Sequence, residues 1–199
     1  MTAVDRSGEP RRATAAPPTV QDDAQRRRAL RRLAVPVSVL TVCHEGRPHG
    51  TTVSTVTTCS HEPLLLGASL RGGSSFAELA AAAGRFVVNV LNASQADVAR
   101  WFADRARPAG LPQFAGLSGH DDPYAGAPLL DGALATYSCQ VFGRSAVGDH
   151  ELLLGLVTHA SVGEGDPLLS YTGGLFAGSL SPAPVSGPGP RNRKEKVAP

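Results

Sequence analysis

Seven of the ten residues in Thr51–Ser60 (TTVSTVTTCS) are β-branched. Such side chains are stiff at χ1 and crowd the preceding turn of a helix, so this stretch is a strand former. Its neighbours read the same way. Val35–Cys43 (VPVSVLTVC) is dense in valine and threonine, HEGRPHG (44–50) reads as a turn, and Pro63–Leu70 (PLLLGASL) is apolar enough to be a buried strand. Arg85–Leu91 (RFVVNVL) is a fourth strand, and Gly132–Arg144 and His150–Val162 form a long pair joined near Val147-Gly148-Asp149. Some six strands without regular βαβ alternation, and no G-x-G-x-x-G after any of them, argue against a Rossmann fold. The pattern suits a mainly β protein, an antiparallel barrel with a few peripheral helices.

Three segments carry helical signals. AQRRRALRRL (24–33) predicts a short helix with Leu30, Leu33 and Ala34 inward and Arg28, Arg31 and Arg32 in water. Its arginines are either an exposed face or a phosphate contact. Ser75-Phe76-Ala77-Glu78 has the S-x-x-E spacing of a capping box, and the alanine run after it ends at Gly84. Ser94-Gln95-Ala96-Asp97 opens another helix by similar chemistry, with Val98, Trp101 and Phe102 on one face. Residues 104–128, rich in glycine and proline, read as a long loop, and such loops are more often functional or mobile than inert.

Residues 24–180 hold 12 basic and 12 acidic side chains, a balance that argues against a nucleic-acid-binding face. The excess positive charge sits in 181–199, which also carries five of the 16 prolines. That segment and 1–22 show no hydrophobic period and are expected to be disordered tails around a single domain at 23–180. The basic tail is a solvated terminus or a contact for an acidic partner. No run of about 18 apolar residues predicts a membrane span. The charged start MTAVDRSGEPRR does not read as a secretion signal. Cys43, Cys59 and Cys139 are odd in number and widely spaced, so neither a disulfide framework nor a CxxC site is expected, and a reducing, cytoplasmic setting fits best.

Candidate chemistry concentrates in two places. At Leu70-Arg71-Gly72-Gly73-Ser74-Ser75 a buried strand ends, two glycines turn the chain and a helix begins. Free amides at a helix start, the helix dipole, a serine hydroxyl and Arg71 together suit an anion, although the same residues also suit a plain strand–helix connection capped by Ser75. In the Thr51–Ser60 strand, alternation places Thr52, Ser54, Val56 and Thr58 on one face and Thr51, Val53, Thr55 and Thr57 on the other. Such a hydroxyl-rich edge is either an ordinary threonine-rich strand or a platform for a flat heterocycle. The six histidines show no metal-ligand spacing, and no nucleophile motif such as G-x-S-x-G is present. His150, where a turn delivers a strand, is the histidine best placed for function.

The motifs also occur in a telling order. HG-x-T-V-S precedes the Pro-led apolar strand and the Ser-rich turn and helix. G-R-F-V-V-N-V-L, a Q-x-x-V helix ending in W-F-A, P-L-L-D-G-A-L-A, G-D-H-x-L-L-L-G-x-V and P-L-L-x-Y follow. Over residues 27–176 the chain resembles the short-chain flavin reductase family, small NAD(P)H:flavin oxidoreductases that supply reduced flavin to two-component monooxygenases.

The resemblance implies an FMN-binding split β-barrel and a homodimer, with FMN or FAD near the subunit interface and NADH or NADPH as hydride donor. Carried over by position, Thr52, Val53, Ser54 and Thr55 line the isoalloxazine and ribityl chain, Ser69, Leu70 and Arg71 follow along the next strand end, and Ser74 and Ser75 meet the phosphate. His150 matches the histidine near the nicotinamide, and Tyr171 an aromatic that touches the flavin. The chain departs from the family where Ala34-Val35-Pro36-Val37 lacks the glycine of P-x-G-V, and where Thr172–Phe176 replaces a more basic ending. Ser74 stands at a position that varies in the family. The rival readings are a flavin- or haem-binding barrel without NAD(P)H turnover, and a non-catalytic interaction module.

Overall fold

Strands dominate the computed structural model, which describes residues 22–178 and 180–183. Apart from Asp22 and residues 181–183, the two expected tails lie outside the described residues. The chain divides into two units, Met1–Leu33 and Ala34–Pro199. The first contains helix α1 (Asp23–Leu30), where Asp23 pairs with Arg26 at 2.8 Å and with Arg27 at 2.7 Å. None of its residues is buried, and Leu30, Leu33 and Ala34, expected inward, are all exposed.

The second unit runs β1 (Val35–Pro36), β2 (Ser38–His44), β3 (Arg47–Val53), β4 (Thr57–His61), β5 (Leu64–Arg71), α2 (Ser75–Ala83) and β6 (Arg85–Val90). It continues through a 3-10 turn (Ala93–Gln95), α3 (Ala96–Ala103), a second 3-10 turn (Leu111–Phe114), β7 (Gly119–Asp121) and β8 (Pro128–Leu130). The chain closes with β9 (Ala135–Val147), β10 (His150–Val162), β11 (Leu168–Tyr171) and β12 (Gly174–Ala177). Seven strands form one antiparallel sheet in the order β3-β2-β6-β9-β10-β5-β4. Its two edges, β3 and β4, are consecutive in the chain and joined by residues 54–56 alone. Laid flat, the edges of a seven-stranded sheet would stand about 29 Å apart, at roughly 4.8 Å per strand. A three-residue link spans at most about 14 Å. The sheet must therefore curl until its edges nearly meet, which makes a split β-barrel.

Strand β2 is buried on both faces. Leu40 and Val42 point into a core with Phe76, Phe86, Leu70 and Leu153, while Val37 and Val39 pack with Ala99, Phe102, Leu130 and Leu168 on the other side. Helix α2 plugs the first core through Phe76, Ala77 and Ala80, with Phe76 edge-on to Phe86 at 6.2 Å. Burying a phenylalanine side chain contributes about 1.5–3 kcal/mol. Asn89 interrupts the apolar RFVVNVL run for a reason that only the fold supplies. Fully buried, it donates from Nδ2 to the Val39 carbonyl and to Thr41 Oγ1, both at 3.2 Å, and accepts from the Leu130 amide at 2.9 Å.

Several local expectations are corrected. The expected turn at 44–50 shrinks to Glu45-Gly46, because β2 runs through His44 and β3 starts at Arg47. Thr51–Ser60 is not one strand. It bends at Ser54 and resumes at Thr57 on the opposite edge of the barrel, so the alternation does not carry across it. Helix α2 is N-capped by Ser74 rather than Ser75, without a side-chain cap bond, and Glu78 instead meets Arg144 at 2.6 Å. The capping box of the next helical segment is Asn92 with Gln95, not Ser94 with Asp97. In α3 the buried residues are Ala99 and Phe102, and Trp101 sits at the margin with its indole N–H donated to the Gln113 carbonyl at 2.7 Å. Gly84 does end α2, in the left-handed conformation at φ 71° that glycine adopts without strain.

The 104–128 segment is partly ordered by buried polar side chains. Gln113 is fully buried, accepts from the Gly50 amide at 2.9 Å and donates to the Pro48 and Gly110 carbonyls. Asp122 accepts from the amides of Tyr124 and Ala125 and from the Ser138 hydroxyl at 2.6 Å.

Candidate functional site

The end of β3, the end of β5, the start of α2 and the stretch after α3 enclose a cavity of about 700 Å³. Cavities of about 300–1,000 Å³ are the size of cofactor sites. The barrel's closure creates it. Thr51, Thr52 and Val53 come from β3, Ser54 and Thr55 from the bend, and Ser69, Leu70 and Arg71 from β5. The Thr55 hydroxyl ties the bend to the Ser69 carbonyl at 2.8 Å, and the Thr52 hydroxyl ties β3 to the Ala99 carbonyl of α3 at 2.8 Å. These two hydroxyls hold the walls together, so Thr51 and Ser54 are the threonine and serine best free to meet a ligand. Because the chain bends at Ser54, residues from both expected faces of the ribbon reach the same cavity.

Gly72, Gly73, Ser74, Ser75 and Phe76 line its next wall. The Gly72 amide donates to the Asp149 carbonyl at 3.0 Å and the Ser74 amide to the Arg71 carbonyl at 3.1 Å. That pair fixes the turn. The Ser74 side chain makes no cap bond, and first-turn amides of a helix have no intrahelical acceptor. The amides of Ser75, Phe76 and Ala77 therefore present a positive dipole end beside two hydroxyls and Arg71, the donor set an anionic group needs.

His49, Phe102, Ala103, Arg105, Arg107, Pro108 and Ala109 complete the lining, and none of them was named as a site residue from the sequence. A signal was present in DRARP (104–108), two arginines inside a glycine- and proline-rich stretch. Arg107 donates to the Gly50 and Asp104 carbonyls and lies over the Phe102 ring at 5.9 Å. Gly50 has a steric reason to be glycine, since a Cβ there would stand 2.5 Å from Phe102 Cε1.

His49 is held below its ordinary pKa by burial and then by the Arg107 charge, so it is neutral at neutral pH. The unfolded chain therefore takes up a proton at the ordinary value of 6.5 while the folded chain does not. Stability is expected to fall as pH drops through about 6.5 and to go on falling until the lower folded-state pKa is reached. In His49→Gln that component of the acid-side slope is expected to vanish, as read from urea unfolding at a series of pH values.

Nine of the residues assigned by position line this one cavity: Thr52, Val53, Ser54, Thr55, Ser69, Leu70, Arg71, Ser74 and Ser75. Two do not. His150 sits outside the lining, cross-strand from Arg71, with Nδ1 2.8 Å from Asp149 Oδ1, on the turn that receives the Gly72 amide. Tyr171 lies in the small sheet β1-β11-β12 with its ring 5.9 Å from that of Phe176. Cys139, which burial and then the Asp122 charge push up to about 12, is a packing residue and no nucleophile. Among the described residues no cluster of histidine, cysteine and carboxylate could hold a metal ion.

Residues 30–179 match the family described as the flavin reductase like domain. The chain belongs to that family. A relative, the NADPH-flavin oxidoreductase of Streptomyces viridifaciens, is 38% identical over 158 residues, covering 77% of this chain and 81% of the relative. The reductase component of the 4-nitrophenol 4-monooxygenase/4-nitrocatechol 2-monooxygenase of Rhodococcus opacus is 31% identical over 153 residues, covering 76% and 79%. Among solved structures, the NADH:FAD oxidoreductase of Streptomyces globisporus in complex with NAD and FAD fragments superimposes with a TM-score of 0.73 at 29% identity, covering 79% of this chain and 93% of that chain. Family members thus share the split barrel described above.

Proposed function

We propose that this chain is an NAD(P)H-dependent flavin reductase that takes FMN or FAD into the cavity and passes the reduced flavin to a separate monooxygenase component. The observation that carries the reading is the meeting, in one cavity of about 700 Å³, of the amide-rich start of α2 with the hydroxyl-lined ends of β3 and β5. The donor set fits the group. Ser74, Ser75, the first-turn amides and Arg71 receive the phosphate, while Thr52, Val53, Ser54 and Thr55, continued by Ser69 and Leu70, line the ring system and ribityl chain. When bound, the flavin accepts a hydride from the nicotinamide and supplies the redox chemistry. The protein needs no strong acid or base for that. Its residues hold the ligands in register, offer N–H and O–H donors to the flavin's polar edge and keep water out. His150, on the turn bonded to Gly72, is assigned to the nicotinamide side. Tyr171, whose ring packs on that of Phe176, is assigned no flavin contact within one chain.

A homodimer is part of the proposal. Along β10 Leu153 points into the core, while Leu152, Leu154 and Leu156 on the alternate face stay only half-buried, and Phe142 and Leu64 nearby are exposed. An apolar outer sheet face of this kind favours cover by a second copy. Light scattering is expected to give twice the mass of one chain, and Leu154→Asp to shift it toward a single chain. The cytoplasmic setting is supported by the three free thiols, and no helix among the described residues is long and apolar enough to cross a membrane.

The test of the activity is anaerobic mixing with NADH or NADPH and each flavin. Loss of the yellow absorbance is the expected result. Flavin binding without bleaching by either nucleotide would overturn the assignment.

A further inference from the structure

We propose that Arg105 and Arg107 form a second phosphate-accepting wall in the same cavity, one that receives a phosphoryl group beyond the one held at Gly72–Ser75. The inference rests on the flavin-reductase reading and narrows its substrates to those with an additional phosphate.

The cavity's charge is one-sided. Arg71, Arg105 and Arg107 line it, and no carboxylate does among the described residues. The rest of the domain is balanced, with 12 basic and 12 acidic residues over 24–180, so general basicity does not account for the cluster. Arg71 stands beside the α2 start, on the first anion wall. Arg105 and Arg107 come from a different element, the stretch that follows α3.

The second wall is built rather than incidental. Arg107 is held by the Gly50 and Asp104 carbonyls and by the Phe102 ring, which fixes the stretch against β3. Its Nε is buried without a hydrogen-bond partner among the described residues. A buried donor left unsatisfied in a native fold calls for an acceptor that the chain alone does not supply. Two residues upstream Arg105 is exposed and makes no ion pair among the described residues. The adjacent Asp104 is engaged elsewhere, its Oδ1 accepting from the Ala106 amide at 2.8 Å and its charge acting on Arg107.

FMN carries one phosphate, which the α2 wall takes, so the arginine wall is surplus to it. The other ligands of this reaction class bring further phosphoryl groups: FAD the second phosphate of its pyrophosphate, NADH and NADPH a pyrophosphate each, and NADPH a 2′-phosphate besides. Guanidinium groups recognise these through charge-assisted, bidentate hydrogen bonds.

The test uses the full chain and Arg105→Ala, since Arg105 is exposed and its loss leaves the Arg107 anchor in place. Riboflavin, FMN and FAD are titrated by flavin fluorescence, and KM is measured for NADH and NADPH. The expected result is a rise of about fivefold or more in the FAD dissociation constant or in KM for a nicotinamide nucleotide, the size of effect a lost charge-assisted contact produces. Riboflavin and FMN are expected to stay within about twofold, and Arg105→Lys to recover most of the loss. A selective effect on FAD identifies the flavin's pyrophosphate as occupant, an equal effect on NADH and NADPH the nicotinamide nucleotide's pyrophosphate, and an effect on NADPH alone the 2′-phosphate. Added salt is expected to erode that preference in the parent and not in Arg105→Ala. Equal loss for all five ligands, or no loss for any of FAD, NADH and NADPH, overturns the second wall while the flavin-reductase reading stands. A parent chain that binds no flavin overturns that reading, and the second wall with it.

Discussion

Ser74→Asp is expected to bind FMN at least about thirtyfold more weakly while folding as well as the parent. The residue caps α2 and lines the cavity. Aspartate is as good an N-cap as serine, and a negative charge at a helix start stabilises it by about 0.3–1 kcal/mol. In the proposed site the same charge faces the flavin phosphate. Two like charges about 4 Å apart repel by about 4 kcal/mol at an effective dielectric of 20, and solvent and salt cut that to roughly half, or about thirtyfold in affinity. Riboflavin has no phosphate and serves as the internal control. Thermal unfolding should show an unchanged or higher midpoint, and fluorescence titration should show FMN weakened with riboflavin spared. If both flavins weaken together, or neither does, the phosphate is not held at this turn.

The largest effect on stability is expected from Phe102→Ala. Phe102 is fully buried, packs against Phe114 at 5.2 Å, lies under Arg107 and fills the space that Gly50 leaves open. Truncating a buried phenylalanine costs about 3–5 kcal/mol. In a domain of this size that lowers the unfolding midpoint by roughly 6–20 °C. A paired substitution makes the origin of the loss visible. Gly50→Ala alone forces its Cβ to 2.5 Å from the Phe102 ring and is expected to destabilise. With the ring removed, the same methyl group enters vacant space. The double variant should therefore be more stable than the sum of the two single losses. Strict additivity would show that the two residues do not share this contact.

The strands and the glycine-ended helix α2 were legible because their causes are local. β-branched side chains disfavour a helix within one turn, and Gly84 ends α2 through its own backbone freedom. The caps were read less well. Ser75 and Ser94 have the right chemistry, yet Ser74 and Asn92 hold the N-cap positions. Several serines and asparagines stand within two residues of each helix start, and spacing alone does not choose among them. The residues proposed for the flavin side, Thr52–Thr55, Ser69–Arg71, Ser74 and Ser75, were reached by their place in a motif order. The arginine wall was not, because DRARP reads as loop composition until a partner strand is known.

By itself, then, the sequence determined that this chain is mainly β, where most of its long strands and two of its helices lie, and that a glycine turn leads into a helix start. Tertiary structure decided that Thr51–Ser60 breaks at Ser54, that both its faces feed one cavity, and that Arg107 and Gln113 bond the Gly50 backbone from 57 and 63 residues further along the chain. The reason is range. Propensities and caps act over a few residues, whereas a barrel's closure and the contacts it forces depend on which distant backbone groups the curled sheet brings within hydrogen-bonding reach.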